Sequence, residues 1–135
     1  FSKEDRANHL KRVAYLCHLL TKHGIVVLAS FVSPYRENRD DARRIVGDGR
    51  FVEVYVECPI GVCIQRDVKG MYKKALAGEI KQFTGVSDPY ETPLAPELVL
   101  RTDAEPAEAS AVALLELLEQ RFGILRKEKA WLPRR

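Results

Sequence analysis

The chain has 135 residues, 46% of them hydrophobic, enough for one compact core, and a single domain is expected. Lys and Arg number 22 against 19 Asp and Glu, a net charge of +3 with the signs interspersed, so no basic tract points to nucleic acid. Apolar runs such as residues 25–29 fall far short of the roughly 20 residues of a membrane span, nothing at the start reads as a signal peptide, and a cytoplasmic location is expected.

From Asp5 to His23 the apolar residues Leu10, Val13, Leu16, Leu19 and Leu20 recur at helical spacing, and Gly24 supplies a stop. The run IVVLASF, residues 25–31, is continuous and β-branched, the pattern of a strand buried on both faces of a parallel sheet. Ser33-Pro34 then turns the chain into a charged helix closing at Ile45 and Val46, whose N-terminus, with Arg36 and Arg39, is suited to an anion. Residues 51–57 read as a second strand and residues 60–65 as a short helix. Residues 66–96, rich in Lys, Gly and Pro with one weak helical segment at 70–77, read as a lid. A strand at 97–102 and an Ala/Leu/Glu-rich helix from Pro106 to Gln120 follow, then a basic tail. Cys17, Cys58 and Cys63, an odd count without CxxC spacing, argue against a disulfide framework or a zinc site and read as small reduced core residues.

Alternation of helices and strands implies an α/β sandwich with a mainly parallel sheet, its ligands at the C-terminal ends of the strands. The stretches FSKEDR, IVVLASFVSPYRENRD, RDVKGMYKKALAGEIKQFTG and DPYE together resemble the adenylylsulfate kinase family. The resemblance implies a P-loop kinase-like three-layer fold that phosphorylates the 3′-hydroxyl of adenosine 5′-phosphosulfate with MgATP. It places a kinase-like domain at 1–121, N-terminally incomplete, with the lid at about 66–96 and a basic tail at 122–135.

The substrate has a base, a ribose and a phosphosulfate, so aromatic faces for the ring and Arg for the anion are the chemistry required. By resemblance Phe1 and Phe83 are the stacking aromatics, Arg6 holds the anion, and Val32, Ser33, Lys81 and Thr84 lie beside the substrate. Ser33 corresponds to a Ser recorded as phosphorylatable in some members; substrate contact is favoured over a covalent role, since phosphoryl transfer depends on positioning and charge neutralisation. Arg66, Lys69 and Lys73 are implied to approach the donor nucleotide, while Lys74 is read as solvated surface. His9 departs from the family pattern, which has Asn there; it is read equally as a substrate contact or as an exposed helical His.

No GxxxxGK[ST] stretch, the loop that cradles nucleotide phosphates and whose hydroxyl holds magnesium, occurs in the sequence. With Phe1 standing where a Met is expected, the loop is expected in sequence before it, and the 135 residues alone are expected to be inactive. The alternative is a non-catalytic sulfonucleotide-binding or regulatory module. The resemblance also implies a homodimer and allows a fused or partnering ATP sulfurylase.

Overall fold

Helix α1 (Lys3–Lys22) carries Glu4 and Asp5 in its first turn and Lys22 in its last, charges that oppose the helix dipole. It stops at Gly24, whose φ of 78° a side chain would resist. In the computed structural model, which describes residues 3–124, α1 packs against α2 (Arg36–Val46). Ala14 of α1 and Val46 of α2 are both buried. A single 3-10 turn at Asp48–Arg50 leads to β1 (Val54–Glu57).

Strand β1 is followed by α3 (Ile60–Arg66) and α4 (Met71–Leu76). Strand β2 (Leu98–Arg101) then lies parallel to β1, with Val54 opposite Leu98 and Glu57 opposite Arg101. Parallel neighbours need a crossover, and residues 58–97 supply it. Helix α5 (Ala107–Phe122) begins after Pro106, ends at the left-handed Gly123 and packs on β2, whose Leu100 is buried. The fold is α/β with a parallel sheet, as the alternation implies. The stretch at 66–96, read from sequence as a lid, holds α4 and an isolated bridge between Thr84 and Asp88. Of the basic tail expected at 122–135, residues 125–135 lie outside the described residues.

The expected strand at residues 25–31 is corrected. It has no ladder partner among the described residues, and Val26, Leu28 and Phe31 are exposed, Leu28 at 73%. A β-branched run encodes readiness for a ladder, but a strand exists only where a neighbour meets its amides and carbonyls. The second strand is also shorter than read: Phe51 lies under the Arg43 guanidinium and Glu53 is drawn into ion pairs before the ladder starts at Val54. The cysteines are half-buried and reduced rather than sunk in the core.

Candidate functional site

Arg6, one turn into α1, is held from several sides. Its Nη2 donates to Asp88 Oδ2 at 2.8 Å and its Nη1 to Thr84 Oγ1 at 3.3 Å. The hydroxyl of Tyr35 donates to both Asp88 oxygens, at 2.9 and 2.8 Å, so one carboxylate ties the α1 cation to the buried turn before α2. Burial first, and then the hydrogen bond to Asp88, raises the Tyr35 phenol above its ordinary value, keeping it a proton donor. Lys3 Nζ stands 4.3 Å from the Tyr35 ring centroid, a cation–π contact that adds positive charge to this corner.

Asp88 belongs to DPYE, and the rest of that motif grips SPYR in the same way. Glu91 N donates to Pro34 O at 2.7 Å, while Glu91 Oε2 accepts from Arg36 N at 2.8 Å. Tyr90 stacks on Tyr55, and the Arg39 guanidinium lies 5.7 Å from the Tyr90 ring centroid. Arg39 is buried and pairs with Glu53 at 2.8 Å while donating to the carbonyls of Ser33 and Glu91. This corrects the anion expected at the start of α2. The charge received there is the protein's own Glu91 carboxylate, and Arg39 is committed to structure. Such internal satisfaction follows from burial, because an uncompensated guanidinium in the interior is costly.

Beside the knot, Arg6, Asn8, His9, Phe31 and Val32 help to line an open cleft of about 540 Å³. His9 meets Phe31 edge-on, with ring centroids 5.5 Å apart, while Val32 is 68% exposed. Arg6, His9, Val32 and Thr84 are therefore brought together, and Ser33 adjoins Val32 in the chain. Phe83 packs edge-on against Tyr72 at 5.1 Å, and its amide donates to Ser87 Oγ. Gln82, beside it, takes a positive φ of 54°, and Lys81 is exposed. Phe1 lies outside the described residues.

The residues read for the donor nucleotide form a different group. Arg66 donates to Thr102 O at 2.7 Å, just past the C-terminal end of β2. Lys69 and Lys73 are exposed, as is Lys74. The backbone amides of Tyr72 and Lys73 point to Asp67, which holds its carboxyl below the ordinary carboxylate range. Among the described residues no three His, Cys, Asp or Glu side chains converge as a metal cage, and no helix is long and apolar enough to cross a membrane. Sequence reading missed Tyr35, Asp67 and Asp88 as positioning groups. Tyr35 and Asp88 sit in the stretches that carried the resemblance, but their pairing spans 53 positions and no spacing rule reveals it.

The described residues form an α/β fold with a parallel sheet and a cleft rimmed by Arg6, and the comparisons say which fold this is. The family model for adenylylsulphate kinase matches residues 1–101. The adenylyl-sulfate kinase of Gloeothece citriformis is 55% identical over 126 residues, covering 93% of this chain and 70% of that protein. That of Rippkaea orientalis is 52% identical over 130 residues, covering 96% and 70%. Among solved structures, the Mycobacterium tuberculosis APS kinase CysC in complex with AMPPNP and APS superposes with a TM-score of 0.84 at 40% identity, over 88% of this chain and 69% of that one. APE1195 gives 0.79 at 45% identity, over 88% and 68%. The chain belongs to the adenylylsulphate kinase family and shares its P-loop kinase fold.

Proposed function

We propose that this chain forms the substrate-holding part of an enzyme that transfers a phosphoryl group from MgATP to the 3′-hydroxyl of adenosine 5′-phosphosulfate. The observation that carries the reading is Arg6, fixed by Asp88 and Thr84 at the rim of the cleft that also takes in His9 and Val32. A guanidinium whose rotamers are already fixed binds an anion with less ordering cost than a free one. The solved relative holding both AMPPNP and APS supports the same pair of ligands here.

In this reading Phe83 and Phe1 stack on the base, and Ser33, Lys81 and Thr84 line the substrate. Arg66, Lys69 and Lys73 approach the donor phosphates. Residues 1–121 act as one kinase-like domain with the lid at about 66–96. No phosphate-cradling GxxxxGK[ST] loop occurs in these 135 residues, which span 70% of the two curated relatives. Magnesium, which neutralises charge on the phosphates of ATP, is assigned no ligand among the described residues.

The test is an assay for the 3′-phosphorylated product on the natural protein containing this sequence, with ATP, magnesium and adenosine 5′-phosphosulfate. Product formation that needs all three is expected, and the isolated 135-residue chain forms little or none. Absence of product from the natural protein overturns the proposal.

A further inference from the structure

We propose that Cys58 and Cys63 form a peroxide-reactive thiol pair in which Cys58, held by Arg66, is the attacking sulfur and Cys63 resolves it to a disulfide. Cys58 directly follows β1, and Cys63 lies one turn into α3. Arg66 Nη1 donates to Cys58 Sγ at 3.7 Å. Cys63 Sγ approaches Cys58 O at 3.9 Å, which brings the second thiol up to the residue that bears the first. Both are half-buried, within reach of a small oxidant.

The roles follow from the surroundings. The thiolate is the nucleophile, and a cation at the sulfur favours it. Arg66 Nη1 touches the Cys58 sulfur directly, whereas burial, followed by the interaction with Cys58, pushes the Cys63 thiol up from its ordinary value against a smaller opposing pull from Arg66. Cys17 is raised as well, by burial, and has no cation contact of this kind, so it serves as an internal control.

The chemistry balances with hydrogen peroxide as oxidant. The Cys58 sulfur attacks one peroxide oxygen, the O–O bond breaks, and the departing hydroxide takes a proton to give water and a sulfenic acid. The Cys63 sulfur then attacks the Cys58 sulfur, the S–O bond breaks, and a second water leaves with the Cys63 proton. Two thiols lose two electrons in all, and one peroxide becomes two waters. The disulfide draws the Cys58 sulfur toward Cys63 and leaves Arg66 with Thr102 O as its remaining anchor.

The experiment is peroxide treatment of the reduced chain, then N-ethylmaleimide, trypsin and mass spectrometry. No Lys or Arg lies between Phe51 and Gln65, so one tryptic peptide, residues 51–66, holds both sulfurs while Cys17 falls in another. The expected result is a 51–66 peptide lighter by two hydrogens and unlabelled, restored to two labels by dithiothreitol, with Cys17 still labelled. In Cys63→Ser the intermediate is trapped by dimedone at Cys58, and in Arg66→Met the oxidation slows about tenfold. Full labelling of both sulfurs after peroxide, or oxidation of Cys17 as fast as of the pair, overturns the proposal. Absence of the dimedone adduct excludes Cys58 as the attacking sulfur, and an unchanged rate in Arg66→Met excludes the role of Arg66.

Discussion

Arg6 and Asp88, 82 positions apart in sequence, meet at 2.8 Å with their side chains only 18% and 14% exposed. The pair joins the first helix to the segment between α4 and β2, and Tyr35 adds the turn before α2 to the same carboxylate. Three distant segments therefore share one charge.

Asp88→Asn tests that knot. The amide keeps the shape but not the charge, so Arg6 and the Tyr35 hydroxyl lose a charge-assisted acceptor. The expected cost is about 1 to 3 kcal/mol of stability, read as a lower midpoint in denaturant unfolding. In a double-mutant cycle with Arg6→Ala the two losses are expected not to add. Additive losses would mean that the two side chains act independently.

Glu97 predicts the acid behaviour of the fold. It accepts both terminal nitrogens of Arg43 at 2.7 and 2.8 Å, and also the amide of Glu53. The Arg43 hydrogen bonds, over the opposing cost of burial, lower its carboxyl from 4.5 to about 2. A group depressed in the folded state stabilises fully above its unfolded value and loses that contribution as pH falls through the folded one. Stability is thus expected to drop between about pH 4.5 and pH 2, and Glu97→Gln to flatten that limb. Parallel stability–pH profiles for the two proteins would contradict it.

Gly85 marks a close approach as well as an unusual backbone. Its φ is 85°, and a Cβ there would stand 2.9 Å from Ile60 Cδ1. Gly85→Ala is expected to lower stability by about 1 to 2 kcal/mol from the left-handed backbone alone. Ile60→Ala in the same background should recover only the steric part. A neutral Gly85→Ala substitution, checked by thermal unfolding, would show that the Thr84–Asp88 turn adopts another conformation.

Phe83→Ala bears on the ligand side. If Phe83 stacks on the base, its loss weakens adenosine 5′-phosphosulfate binding by about 1 to 3 kcal/mol, whereas Lys74→Ala leaves affinity nearly unchanged. Equal affinities of Phe83→Ala and the parent in a fluorescence titration would confine Phe83 to its edge contact with Tyr72.

The helices were legible because their signals are local. The apolar spacing of α1 and its Gly24 stop, and Pro106 before α5, each act within a few residues. Residues 25–31 misled because a buried-strand pattern names no partner, and β1 and β2 pair only with each other among the described residues. At the site, the resemblance points to Arg6 and Thr84, and the structure brings these two side chains together at 3.3 Å. The start of α2 was misread as open to a ligand because Glu91, which satisfies Arg36 N, lies 55 positions away. Carboxylates that reach across a fold leave no trace in spacing.

The most direct test is calorimetric titration of adenosine 5′-phosphosulfate into the parent protein, Arg6→Ala and Lys74→Ala. An Arg that anchors an anion by charge-assisted hydrogen bonds predicts a loss of roughly tenfold or more in Arg6→Ala and little change in Lys74→Ala. Equal affinities in all three would contradict the placement of the substrate at Arg6.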